Sequence, residues 1–323
     1  MRVFVTGGAG FIGSVVVRLL GEQGHAVRCL LLPGTGAPRL AGLPCERVEG
    51  DVRDPQALAE AMRGCEAVVH LASLSNWQDI DSPSMDAVVI GGTANVLSAA
   101  RALGGVRTVF VSTAIAIGGT RRPTVQDEAS PCRMRVERYR YMRAKRAAED
   151  LCRTAAAEGL PVVIVNPGEV YGPNDVERVT AGNLIDFAKS SPVLVCAGGT
   201  AIAYVDDVAA GIVAALHRGR TGERYILAGE NLTVRQLASL TLELLGQKKR
   251  IFQAPNPLVR ALAWVGRTLR LPLPFDPHVI PYATRYWFVS SAKAQRELGV
   301  TFRPARETLA PTLRWLEESG SLR

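Results

Sequence analysis

Two sets of residues have the types and spacing to do chemistry. In Tyr141-Met-Arg-Ala-Lys145 a phenol and an ammonium stand four residues apart, which on a helix places them on one face. A free phenol titrates near ~10 and is a poor acid–base group at neutral pH; a neighbouring ammonium stabilises phenolate and lowers that value. A hydroxyl from Ser112 or Thr113, at the end of the apolar run 106–112, can polarise a substrate oxygen beside that phenol. The second set is Gly7, Gly10 and Gly13, which follow the apolar run 3–5 and lead into the helix-compatible stretch 11–20. There Gly7 allows a tight turn, Gly10 lets backbone approach a pyrophosphate, and Gly13 lets the helix lie close to the strand. Free N–H groups at the helix start, at the positive end of its dipole, hold the anion.

A Tyr-x-x-x-Lys pair alone is commonly a surface coincidence, and a glycine triplet alone a plain turn. The elements around them add the context. Strand signals at 26–32, 45–48, 66–71, 106–112 and 160–166 alternate with helix signals at 54–62, 84–103 and 138–158. With the first strand this makes six strands in an alternating rhythm, which predict an α/β fold: a Rossmann-type, doubly wound parallel sheet. The Tyr141/Lys145 helix then follows the fifth strand. Beyond Pro167 the rhythm gives way to Gly/Pro-rich loops. The reading is a nucleotide-binding domain over 1–167, rejoined by 203–229, with 168–202 and 230–323 as a smaller mixed substrate-binding lobe.

Composition narrows the partners. The chain has 323 residues, a formal charge of +8 drawn mainly from arginine, and no apolar stretch of ~18 residues that would predict a membrane span. Met1 runs straight into the first strand, so no signal peptide is expected. The six cysteines lack CxxC spacing and read as reduced thiols of a cytoplasmic protein; the four scattered histidines predict no metal site. The densest basic run, Arg133 to Arg140 with Arg143 and Arg146 beyond it, reads first as a solvated helix face and its approach loop. Contact with an anionic substrate or cofactor phosphate comes second, and nucleic acid third.

The chain resembles the extended short-chain dehydrogenase/reductases, the NAD-dependent epimerase/dehydratase superfamily. The resemblance rests on Thr6-Gly-Gly-Ala-Gly-Phe-Ile-Gly13, Gly50-Asp51-Val52, His70-Leu-Ala72, Phe110-Val-Ser-Thr113, Tyr141 to Lys145, Tyr171-Gly-Pro173 and Tyr204-Val-Asp-Asp207-Val-Ala. It implies Tyr141 as general acid/base, Lys145 on the nicotinamide ribose and Thr113 polarising the substrate. It also implies Phe11 and Ile12 in the dinucleotide loop, Asp51 and Val52 at the adenine, Leu71 and Ala72 along the cofactor, and Pro167 to Val170 against the nicotinamide. Asp207 reads as a helix cap. Segments 160–167 and 222–231 are similar to dihydroflavonol-4-reductase relatives and to the hopanoid-associated sugar epimerase group.

Three departures matter. Ala114-Ile115 stand where the 4,6-dehydratases of the family carry Asp-Glu, no arginine stands in 199–203 to grip a nucleotide-sugar diphosphate, and Val89 replaces an asparagine of the family. The second strand ends Leu30-Leu31-Leu32-Pro33 without the carboxylate that binds the ribose of NAD. In the reductase relatives basic residues occupy the places of Leu32 and Arg39. Keeping Arg39 favours NADP over NAD, with a plain loop arginine as the alternative.

For the substrate, Ser73, Asn76 and Trp77 fall where the family lines its pocket, and Tyr282, Arg285, Tyr286 and Trp287 can reach it, though 286–289 also reads as a strand. The basic, amphipathic stretch 257–270, followed by Leu271-Pro-Leu-Pro-Phe275, reads as a helix packed on the lobe. The sharper alternative is a lid or a membrane-surface contact. The expected activity is NAD(P)-dependent hydride transfer between nicotinamide and a ketone or secondary alcohol on a small-molecule substrate. Alternatives are an NAD-dependent nucleotide-sugar epimerase and a non-enzymatic NAD(P)-binding sensor or scaffold. Family analogy suggests a homodimer.

Overall fold

The computed structural model describes residues 1–77, 79–269 and 279–322. The 271–275 segment singled out above lies outside them. In chain order the first half runs β1 (Arg2–Thr6), α1 (Phe11–Glu22), β2 (Ala26–Leu31), β3 (Cys45–Glu49), α2 (Pro55–Met62), β4 (Ala67–His70), α3 (Gly92–Ala102), β5 (Arg107–Val111), α4 (Arg140–Ala157) and β6 (Val162–Pro167). It continues with β7 (Glu169–Tyr171), α5 (Ala181–Lys189), β8 (Val193–Cys196), β9 (Gly199–Tyr204), α6 (Val205–Arg218), β10 (Arg224–Leu227), β11 (Asn231–Thr233) and α7 (Val234–Leu244). The last elements are β12 (Ile251–Ala254), α8 (Asn256–Leu269), α9 (Ile280–Ala283), β13 (Tyr286–Trp287), α10 (Ala292–Leu298) and α11 (Ala305–Glu318).

Seven parallel strands form the main sheet in the order β10-β6-β5-β4-β1-β2-β3, the doubly wound α/β arrangement that the alternation predicts, extended by β10. Its central strands read as continuous apolar runs because helices cover both faces. On one face Val16, Val17 and Leu20 of α1 meet Val208, Ile212 and Val213 of α6; on the other, residues of α2, α3 and α4 pack over Phe4, Val68, Phe110 and Ile164. The order reverses between β1 and β4, so the loops leaving their carboxyl ends diverge there and open a crevice. The residues after β6 build a sheet of β11, β9 and β13 with β7 against β9, and a parallel ribbon of β8 and β12.

The helix expected over 84–103 is in fact two elements. Asp86–Gly91 forms a π-helical turn ahead of α3. Asp86 there is clasped by Arg143 of α4 at 2.7 and 2.6 Å, and Gly92 lies so close to Val52 that a Cβ would meet its side chain at 2.7 Å. Both contacts join residues far apart in sequence. Asp207 is likewise no cap: Tyr204 holds the N-cap position of α6, and Asp207 in the first turn binds Arg303.

Candidate active site

The glycine loop leaves β1 at the crevice. Gly7 adopts φ +71°, and a Cβ there would stand 2.8 Å from the backbone of Leu71 and Ala72. At Gly13 a Cβ would stand 2.1 Å from the Gly7 carbonyl, so α1 starts against the turn only with glycine present. Gly10 is exposed and is the N-cap of α1, with no side-chain cap on the helix. Bare backbone at the positive end of a helix is an anion site, and a dinucleotide fits this cradle. Phe11 and Ile12 open the helix, half-buried against the α1–α6 core.

Beneath the loop lies a histidine that the sequence reading quoted only within a motif. His70, buried at the end of β4, has Nδ1 2.7 Å from Thr6 Oγ1 and Nε2 3.1 Å from Thr93 Oγ1. The Thr93 hydroxyl donates to the Val89 carbonyl at 2.6 Å, so it accepts from His70 and places the imidazole proton on Nε2. Thr6 then donates to Nδ1 and accepts the Ala72 N–H at 3.2 Å. Burial pushes His70 down to about 3, with the Lys145 charge adding to the effect. It is a neutral strut that holds Leu71 and Ala72 against Gly7.

Among the residues expected at the adenine, the Asp51 carboxylate is chelated by Arg53, which holds it below the usual carboxylate range. The Val52 carbonyl accepts from Asn95 at 2.9 Å. Leu32 is exposed at the end of β2. Arg39 is committed to protein partners: it donates to the Asn174 carbonyl at 3.0 and 2.9 Å, to the Ala9 carbonyl at 3.3 Å and to both carboxylate oxygens of Glu177. It stitches the glycine loop to the segment after β7, so it is not a free phosphate receptor. Pro167 ends β6 beside Leu227, and Val170 on β7 is buried beside Ala203.

The residues expected to do the chemistry meet at the carboxyl end of β5. Thr113 caps a short 3₁₀ turn, Ala114–Ala116, accepting the Ile115 N–H at 3.3 Å, and its hydroxyl lies near enough to the Tyr141 phenol to favour ionisation of that group. Tyr141 and Lys145 occupy the buried face of α4. Lys145 Nζ donates to the Val111 carbonyl at 2.9 Å and lies 5.1 Å from the centre of the Phe110 ring. Burial brings Lys145 down to about 8, while Glu149 works to raise it.

For Tyr141 the expected direction is reversed. Burial pushes the phenol up to about 12, and the group pulling it down is Thr113, not Lys145. The ammonium faces a backbone carbonyl, and removing a phenolate from water outweighs the pull of Thr113.

One turn beyond Lys145 comes Glu149, fully buried and missed in the sequence, although 141, 145 and 149 continue a single i, i+4 stripe. Its Oε1 accepts from Ser112 Oγ at 2.6 Å and from Asn166 Nδ2 at 2.7 Å; Asn166 also holds the Thr113 carbonyl at 2.9 Å. Arg153 and Arg224 approach its other oxygen at 3.2 and 3.5 Å.

Aromatic rings adjoin Tyr141. Tyr282 meets Trp77 edge-on at 5.5 Å and Tyr139 at 5.2 Å, and stacks on Trp287 at 5.8 Å. Arg285 donates to the Tyr139 hydroxyl at 3.0 Å. Trp77 is fixed by its N–H on the Val179 carbonyl at 2.9 Å, whereas Asn76 turns its Oδ1 to the Asp79 N–H at 2.9 Å. The Ser73 hydroxyl is buried without a hydrogen-bond partner among the described residues, a polar group left for a ligand. The arginines near the start of α4 are not a simple solvated run: Arg140 donates to the Ser82 carbonyl, Arg143 clasps Asp86 and Arg146 donates to the Ala116 carbonyl. Guanidinium groups reach backbone acceptors that helix-face counting does not reveal.

Residues 3–228 match the NAD dependent epimerase/dehydratase family. The chain belongs to that family. A ketoreductase of Stigmatella aurantiaca acting on 4-hydroxy-2-methyl-3-oxo-4-farnesyl-3,4-dihydroquinoline-1-oxide is 31% identical, over 99% of this chain and 98% of its own. Sterol demethylase protein B of Methylococcus capsulatus is 29% identical over the full length of both chains. A solved nucleoside-diphosphate-sugar epimerase from Pseudomonas aeruginosa superposes with a TM-score of 0.82 at 26% identity, covering 99% of this chain and 98% of that one. This family member is an NAD(P)-dependent oxidoreductase of the extended short-chain dehydrogenase/reductase type.

Proposed function

We propose that the chain reduces a ketone carried on a lipophilic substrate, with NADP(H) as its preferred cofactor. The observation that carries the reading is that Thr113, at the end of β5, stands beside the buried Tyr141, next to an aromatic wall of Trp77, Tyr139, Tyr282 and Trp287.

A nicotinamide dinucleotide, held by the Gly7–Gly13 loop and by Lys145, supplies the hydride when bound. The protein's own part is to place and protonate the carbonyl. Thr113 and Tyr141 both hydrogen-bond its oxygen, which is where negative charge grows. Tyr141, kept protonated by burial, donates its proton to that oxygen as the carbonyl carbon gains the hydride, giving the alcohol. Reduction needs Tyr141 as the phenol; oxidation needs it as phenolate. The rings exclude water and offer apolar area to a hydrocarbon body, consistent with relatives named for a farnesylated quinoline oxide and for sterols. The NADP preference rests on the missing carboxylate after β2 and the exposed Leu32 in its place.

NADPH oxidation with a panel of hydrophobic ketones tests the reading. Stoichiometric alcohol formation that Tyr141→Phe abolishes supports it. Tightly retained NAD with interconversion of nucleotide sugars, or cofactor binding without turnover of any carbonyl, would overturn it in favour of the epimerase or the sensor.

A further inference from the structure

Large apolar side chains crowd one corner of the surface. Leu194, Phe252, Leu258, Leu262, Trp264 and Leu269 are 67, 49, 55, 46, 68 and 63% exposed. Leu194 and Phe252 are register partners in the β8–β12 ribbon. Alternation along the strands puts them on one ribbon face with Cys196 and Ala254. The opposite face, with Val193, Val195 and Ile251, is buried against α5, α7 and α11. Cys196 and Ala254 pack under α8, on Val259 and Ala263, so the helix covers one end of the face and leaves Leu194 and Phe252 bare at the other. Leu258, Leu262 and Leu269, spaced i, i+4 and i+11, form a second stripe on α8 beside its buried one.

Charge identifies what meets this surface. Between Glu243 and Asp276 the sequence has no carboxylate, but it has six cations: Lys248, Lys249, Arg250, Arg260, Arg267 and Arg270. Lys248 and Arg250 are exposed at the approach to β12, and Arg260 is tied to Thr284. Aliphatic and tryptophan side chains within a wholly cationic segment are the chemistry of an anionic lipid interface. A second copy docking here would set like charges against each other.

The surface also connects with the reaction site. Ile280 of α9 packs on Val259 and Ala263, and two residues later Tyr282 joins the aromatic wall beside Tyr141. We infer that α8 and the open face of the β8–β12 ribbon dock on an anionic bilayer, from which a lipophilic substrate reaches Tyr141 past α9. The inference rests on the lipophilic-ketone reading for its purpose, but not for its test.

The full chain is mixed with phosphatidylcholine vesicles, with and without ~30% phosphatidylserine, and bound protein is measured by flotation. Binding about tenfold stronger to the anionic vesicles, and weakened by salt, is expected. Leu262→Glu/Trp264→Glu should cut that binding about tenfold or more, and Lys248→Glu/Arg250→Glu should remove the preference for anionic lipid. Circular dichroism and turnover of a short water-soluble ketone should be unchanged in both variants, because none of these residues touches the site. Equal vesicle binding by wild type and Leu262→Glu/Trp264→Glu, or none by wild type, overturns the inference. So does concentration-dependent dimerisation that the same double substitution abolishes, which would mark the surface as a self-contact. Vesicle binding without reduction of any ketone sinks the proposed activity instead and leaves the docking surface standing.

Discussion

Glu149 stands one helical turn beyond Lys145 on α4 and binds Ser112 and Asn166 as well, so one buried carboxylate supports the ammonium and the strand end that carries Thr113. Glu149→Gln keeps the shape but removes the charge that helps Lys145 keep its proton. Burial already lowers Lys145 to about 8. The alkaline limb of kcat/KM, set by loss of the Lys145 proton, should therefore move acidwards by about one unit or more. Glu149→Asp should restore part of the shift. A pH profile that stays in place would show that Glu149 only packs.

Tyr141→Phe removes the proton donor and leaves the glycine loop untouched. Turnover should fall by about 10²–10⁴-fold, with cofactor affinity, measured by fluorescence titration, nearly unchanged. Thr113→Val should lower kcat by about 10²-fold and leave Tyr141 still harder to ionise, since the group that favours its ionisation is lost.

Arg39 offers a test of cofactor choice. It binds Glu177 and two carbonyls, so a 2′-phosphate would have to displace the carboxylate. Glu177→Gln should free the guanidinium and tighten NADPH binding, while Arg39→Ala in the native background should weaken NADPH and NADH alike. A loss confined to NADPH in Arg39→Ala would overturn the reading of this residue as a strut between two loops.

His70 predicts an acid sensitivity. Its folded value is lowered to about 3 from an ordinary 6.5, so below about 6.5 the unfolded chain takes up a proton that the folded chain refuses. Stability is then full above about 6.5 and falls as pH drops through the window to about 3. Between pH 7 and 4.5 the loss from this group should be about 2–3 kcal/mol by linkage. Urea midpoints at those two pH values measure it, and His70→Gln should flatten the difference.

The glycine loop was legible because its constraints are local. A positive φ at Gly7 and a helix starting directly after it depend on residues a few positions apart. The α4 stripe was legible for the same reason, since i, i+4 spacing survives in any helix. The family resemblance alone suggested Trp77 for the pocket lining; in the structure its ring meets Tyr282 edge-on. Glu149 was missed although it continues the same stripe, because a glutamate on a helix ordinarily faces solvent; nothing near it in sequence shows that β5 and β6 bury it.

The sheet, the glycine loop, the Tyr141/Lys145 pair and the family could all be read from the order of residues. These follow from periodicity, from glycine's backbone freedom and from short motifs, all carried by neighbouring residues. The electrostatics and the side-chain partners emerged only from the folded arrangement. It reversed the direction in which Tyr141 is shifted, because desolvation depends on everything packed around a group. It engaged Arg39 with Glu177 across 138 positions and brought Tyr282 against Tyr139 from a comparable distance along the chain. Contacts of that range follow from strand order and helix docking, which no local spacing encodes.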